Sequence, residues 1–231
     1  MTDRRNEAAR NSAPRGAAQR LTPQAWGDDT SAPWLPLFPL RTVLFPGGLL
    51  PLKVFEQRYI EMTKACLRDE RPFGVCLITR GDEVAHGDGS VPDIATVGTL
   101  ARITNVDMPQ MGILNLSTEG GTRFEVRRHA TDETGVIVAD VTAIADEPRH
   151  PLAETYAPLA RLLQLIAARL APQHFPADSQ YDEASWVGYR LAELLPLPLS
   201  IKQSMLEIND ADVRLGVLKQ FLERQGLLQA V

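Results

Sequence analysis

The sequence predicts an α+β protein. A small, partly open β-barrel of about six strands with one early helix spans residues 33–147, and a helical bundle follows over 148–231. Three observations carry this reading. Between Pro33 and Glu147 the apolar residues fall in short runs, several of them alternating with a period of two and separated by Pro and Gly. After Pro148 the period lengthens to about 3.6, which is that of a helix. The most apolar segment, LPLFPLRTVLFPGGLLPLKVFEQRY over residues 35–59, carries Pro36, Pro39, Pro46 and Pro51. Each proline removes a ladder donor, so they point to edges, strand starts or bulges in a short, irregular barrel.

Residues 1–32 come first. They are rich in Arg, Ala, Pro and polar residues, and Leu21 and Trp26 bury too little to offset the entropy of ordering, so they read as a disordered tail. Leu35–Leu40 and Leu49–Phe55 are apolar runs joined by Phe45-Pro46-Gly47-Gly48, a turn in which Pro presets φ and Gly accepts a positive one. Phe55, Tyr59, Met62 and Cys66 share one face of a helix that Arg71-Pro72 ends. Phe73–Thr79 is continuously apolar, as in a strand buried on both faces, and Thr96–Thr104 alternates. Asp107–Gly112 is a loop by its Pro and Gly. Ile113–Leu116 and Arg123–Arg127 flank Glu119-Gly120-Gly121, a hairpin signal, and Gly135–Ile144 closes the series.

In the helical part, Leu152, Tyr156, Leu159, Leu163, Ile166 and Leu170 form one amphipathic stripe, with Pro151 near the first turn. A second helix covers about Asp182–Leu195. Ser200-x-x-Gln203 reads as a capping box for a short third, and Asn209-Asp210 caps a fourth from Ala211 to Gln225.

Composition excludes several classes. A net charge of −5 provides no basic field for nucleic acid or anionic lipid, and no apolar run is long enough to span a bilayer. No lysine follows a glycine, which removes the phosphate-binding loop of an ATPase. There is no G-x-S-x-G elbow, and the four histidines lack metal-ligand spacing. The acidic loop Gly81–Gly89 lacks the ligand ladder of a calcium site. Cys66 and Cys76 read as buried free thiols of a reducing compartment, so the expected location is cytoplasmic. No catalytic residue, metal or cofactor is expected. Only four lysines accompany the many arginines, a bias assigned to genome composition rather than recognition.

Leu35–Leu40, Val43–Gly47, Leu50-Pro51-Leu52, Phe55-Glu56 and Arg58-Tyr59 resemble the start of the N-terminal substrate-binding domain of Lon-type ATP-dependent proteases. Val97–Ile103 is similar to that family's G-T-x-A strand, and Gly120–Phe124 to its G-x-x-R-F hairpin, with Gly121 lengthening the turn. Leu194-Pro196-Leu197, Lys202-Gln203, Met205-Leu206-Glu207, Asp210 and Arg214-Leu215 match its closing pattern. The resemblance runs from Pro33 to Arg224. It implies a PUA-like barrel followed by a helical bundle, a chain that ends before the ATPase and Ser–Lys protease modules, and a non-enzymatic module for unfolded or tagged polypeptide segments. A protease or a chaperone is the candidate co-worker in protein quality control. An RNA-binding PUA-like protein is the alternative, against which the acidic charge weighs.

A polypeptide surface needs exposed apolar side chains with a polar rim. The turn at Phe45–Leu49 and the Met108–Met111 loop are expected to provide it, with Phe45, Leu49, Met108 and Met111 as the patch and Arg41 and Gln110 at the rim. Thioethers suit varied partners, although methionine also fills core gaps. The idea requires both loops to lie at one end of the barrel.

Overall fold

In a computed structural model, residues 34–81, 91–171 and 175–228 are described. The predicted tail, the acidic loop after Gly81 and the histidines His86 and His174 fall outside them. Seven strands and five α-helices make up the described chain. The strands are β1 (Leu35–Leu40), β2 (Leu49–Val54), β3 (Phe73–Arg80), β4 (Asp93–Ile94), β5 (Val97–Gln110), β6 (Ile113–Thr131) and β7 (Ile137–Ala143). The helices are α1 (Gln57–Arg68), α2 (Ala157–Ala167), α3 (Ala184–Leu194), α4 (Leu199–Glu207) and α5 (Ala211–Arg224).

The sheet is mostly antiparallel, ordered β1-β7-β6-β5-β3-β4, with β2 on the other edge of β6 along its first half. β1 also pairs with β3 in parallel, so hydrogen bonding around β1, β7, β6, β5 and β3 returns to its start. The prolines of β1 fit this because its two ladders are staggered. β7 pairs with Leu35–Leu37 and β3 with Leu37–Leu40, which leaves each proline a side where no donor is required. Pro51 lies in β2, which has a partner on one side only among the described residues.

Three elements differ from the sequence reading. Gly120-Gly121 is not a turn but part of β6, a strand of 19 residues. A methyl group on Gly120 would lie 2.2 Å from the Phe45 carbonyl oxygen. The Gly120 N–H donates to Gly48 O (2.8 Å), and Gly47 N–H donates to Gly120 O (2.7 Å). The missing side chain allows two backbones to approach, which is the other use of a strand glycine. The actual hairpin tip is Gln110–Ile113, with Gly112 at φ +83, so the expected loop at 107–112 is mostly the end of β5. Ser200 lies inside α4, whose N-cap is Pro198; Gln203 Nε2 instead donates to Val97 O (3.0 Å), tying the helix to the sheet.

α2 is shorter than its apolar stripe, because Glu154–Tyr156 form a 3-10 turn and Pro151 bridges to Glu183. Asp210 caps α5 as expected, accepting from Val213 N–H at 3.0 Å. The helices pack Leu159, Leu163, Val187, Leu191, Leu215, Leu218 and Leu222 into one cluster that also takes in Val43, Phe45, Leu77 and Ala95 from the strand region. The strand and helical regions therefore share a core.

Candidate functional site

The structure separates the residues that the sequence brought together. Phe45 is fully buried, its ring 5.9 Å from that of Tyr189 in α3. This corrects its place in the exposed patch: the turn it opens is folded inward by α3, and the ring fills the shared core. Arg190 Nη1 and Nη2 donate to the carbonyls of Gly47 (2.5 Å) and Pro46 (2.8 Å), so that turn is clamped. Leu49 is half-buried and sits opposite Glu119 on β6, whereas the hairpin tip is at Ile113. Six residues of strand at about 3.3 Å each put the two loops roughly 20 Å apart, at opposite ends of the β2–β6 ladder. Arg41 donates to Gly81 O (2.6 Å) on a third segment. No single patch contains all six residues.

The methionine half of the expectation has a different outcome. Met108 and Met111 are 63% and 96% exposed, and Gln110 beside them is exposed too. Two apolar side chains that the sequence reading did not assign to the surface are exposed as well. Val106, opposite Leu116 on β6, is 40% exposed, and Phe55 is 55% exposed. Phe55 follows Val54, whose partner Leu114 is the second residue of β6, so it lies at the hairpin's end of β2. Its place in the sequence suggested the helix face, but α1 starts two residues later. Every β5 residue from Thr104 to Gln110 is exposed, whereas Leu114 and Leu116 of β6 are buried and paired with β2, so it is the β5 side and the tip of the hairpin that face solvent. Asp107, Asn105 and Lys53 supply polar groups around it, and all are exposed.

A concavity of about 730 Å³ lies between β6 and the helices, lined in part by Leu49, Arg123, Glu147, Arg149, Trp186 and Tyr189. Glu147 sits at its floor with both oxygens occupied. Arg214 donates to Oε2 (3.0 Å) and also to Oε1, Tyr189 OH to Oε1 (2.8 Å) and Ser185 Oγ to Oε2 (2.8 Å). Burial alone would raise the Glu147 carboxyl, but Arg214 and the two hydroxyls outweigh it and hold the group below its ordinary range. Burial drives the Tyr189 phenol the other way, well above its ordinary value. Arg123 reaches Leu206 O (2.9 Å), Ile208 O (3.1 Å) and the Asn209 side chain, and Arg214 Nε reaches Met205 O (2.9 Å). An ionised carboxylate saturated by donors, beside a protonated phenol, has no free lone pair for base or nucleophile work. The cluster fastens the end of α4 to β6. The buried arginines are thus structural, for a reason that composition could not supply.

Among the described residues no group of three or more His, Cys, Asp and Glu could hold a metal ion. Arg127 and Arg128, the short basic run that an RNA surface would use, both pair with Asp140 (2.7 and 3.0 Å). No described helix is long and apolar enough to cross a membrane.

The model of the ATP-dependent protease La (LON) substrate-binding domain matches residues 34–224. The chain belongs to the Lon substrate-binding domain family. Over 200 residues it is 32% identical to Lon protease 2 of Myxococcus xanthus, covering 83% of this chain and 24% of that protein. It is also 32% identical to the Lon protease of Anaeromyxobacter dehalogenans, covering 23% of it. The chain thus spans about a quarter of the length of these relatives, and the match is to the substrate-binding domain rather than to an ATPase or protease domain. Among solved structures, a Lon N-terminal domain protein from Xanthomonas campestris is 35% identical, with a TM-score of 0.66 over 82% of this chain and 98% of that one. The N-terminal domain of a Mycobacterium avium complex Lon protease, 16% identical, shares the fold with a TM-score of 0.52 over 83% and 98%.

Proposed function

We propose that this Lon substrate-binding domain protein is a non-enzymatic module that captures unfolded or tagged polypeptide segments, and that it does so with the tip of the β5–β6 hairpin. Val106, Met108, Met111 and Phe55 form the apolar surface and Gln110 lies at its rim. The observation that carries this reading is the exposure of Val106, Met108 and Met111 on the β5 side and tip of the hairpin, with Phe55 exposed at the adjoining end of β2, in a chain whose family is defined by substrate binding. Exposed apolar side chains grouped on a projecting element mark interaction sites, and thioethers adapt to side chains of different shape. The strand region corresponds in this reading to a PUA-like barrel over 33–147 and the helices to a second subdomain over 148–231. The module works in the cytoplasm beside a protease or chaperone in protein quality control.

The test is binding of a fluorescent, reduced and alkylated α-lactalbumin followed by anisotropy. The double variant Met108→Ser/Met111→Ser should weaken binding by about 1–3 kcal/mol, the scale of lost apolar contact, and leave the melting temperature unchanged. Undiminished affinity in that variant would refute the hairpin as the binding surface.

A further inference from the structure

Six cysteine and methionine side chains lie among the described residues, and they divide sharply. Cys66, Cys76, Met62 and Met205 are buried. Met108 and Met111 alone of the six are open to solvent, and both sit at the hairpin tip beside Gly112, around which there is open space. The thiols do not compete for an oxidant. Burial raises both, Cys76 to about 12, so neither supplies a thiolate at neutral pH.

We propose that Met108 and Met111 are a reversible oxidation site through which a peroxide switches off polypeptide binding; this rests on the hairpin being the binding surface. A thioether sulfur attacks one oxygen of hydrogen peroxide, an S–O bond forms and the O–O bond breaks. The departing hydroxide takes up the proton that the transferred oxygen releases, and leaves as water. The sulfide is oxidised by two electrons and the peroxide reduced by two. The reverse step consumes two thiols per sulfoxide, yielding a disulfide and water, the chemistry of methionine sulfoxide reductases. The product is a polar, chiral group on a surface whose affinity depends on apolar contact, and docking a client there would strip its oxygen of water. Met62 and Met205 are shielded, so the fold survives the treatment that alters the tip.

The experiment treats the full chain with graded hydrogen peroxide, maps oxygen addition by peptide mass spectrometry, and measures the affinity for fluorescent reduced and alkylated α-lactalbumin. Met108 and Met111 should oxidise before Met62 and Met205, with the dissociation constant rising roughly tenfold and the melting temperature unchanged. The two methionine sulfoxide reductases, one per sulfoxide epimer, together with dithiothreitol should restore binding. In the double variant Met108→Leu/Met111→Leu, whose affinity is measured first without peroxide, the dissociation constant should not change on peroxide treatment. Full oxidation of both methionines with unchanged affinity would overturn the switch, as would a leucine variant that loses binding in peroxide. The serine variant separates the two ideas: if it binds weakly while the oxidised protein binds normally, the switch fails and the hairpin surface stands. If it binds normally, both fail.

Discussion

Removing the charge of Glu147 should be among the most damaging conservative changes available in this chain. Its side chain and that of Arg214 are 2% and 0% exposed, and Arg123, equally buried, places Nη2 3.7 Å away. Two guanidinium groups therefore surround one carboxylate. Glu147→Gln keeps the shape but leaves both cations without a counter-charge, and breaking a buried pair on one side costs about 3–5 kcal/mol. For a chain of this size each kcal/mol lowers the melting temperature by about 2–4 °C, so a fall of roughly 6–20 °C is expected. The exposed pair Arg102–Glu119, at 2.5 Å, is the control; Glu119→Gln should cost less than about 1 kcal/mol. The pH dependence has a definite sign. The folded-state pKa of Glu147 is depressed, so its contribution is complete above the unfolded-state pKa and is lost as pH falls through the lower folded value. Urea titrations of both proteins from neutral pH into this acid range should converge as the pH drops. A Glu147→Gln protein within about 1 kcal/mol of the parent at neutral pH, or a gap that does not close in acid, would refute the assignment of Glu147 as an ionised buried anchor.

Two further changes test the framework around it. Gly120→Ala places a methyl group 2.2 Å from the Phe45 carbonyl oxygen, backbone that cannot swing aside, so differential scanning calorimetry should find a loss above about 3 kcal/mol or no folded protein. Asp210→Ala removes the cap on α5 and should cost about 1 kcal/mol in urea denaturation, with the far-UV signal of the folded state unchanged.

What could be read from the sequence was what its own neighbours decide. The runs of β1 and β3 and the cap of α5 depend on residues a few positions apart, and they appear in the expected places, while the stripe over Leu152–Leu170 marks α2 but overruns it at both ends. The larger failures involve a distant partner. Gly120-Gly121 has the composition of a turn, yet Gly120 is small because the chain at Phe45–Gly48 crosses it. Phe45 occupies a turn, where local signals predict exposure, but Tyr189 and Arg190 arrive from α3 to bury the ring and hold the turn's carbonyls. The burial of Arg123, Arg190 and Arg214 was not legible, because burial of a guanidinium depends on acceptors supplied by other elements. Of the site, Met108, Gln110 and Met111 were legible because a hairpin tip is itself local. Phe55 was not, since helix spacing gave it an inward role although α1 starts after it, and Val106 lies beyond the strand read at Thr96–Thr104 and was given no role.

The same geometry separates stability from recognition. The turn at Pro46–Gly48 is held by Arg190 on one side and by Gly120 on the other, and the end of α4 by Arg123 and Arg214. These contacts join the sheet to the helices through buried charge and close backbone approach, where small errors are costly. Beyond Ile103 the β5 side chains are exposed through Gln110, whereas Leu114 and Leu116 on the facing β6 strand are buried, so only the β5 side and the tip of the hairpin lie outside that core. Side chains there can change with little effect on the folded state, a freedom suited to a surface that meets varied segments. An anchor residue such as Glu147 should therefore alter binding only through the fraction of molecules folded, whereas a tip residue such as Met111 should alter it at constant folded fraction. Stability and affinity measured on the same preparations would place each substitution on one axis or the other. A tip variant that lowers both in proportion would show that the arm belongs to the core after all.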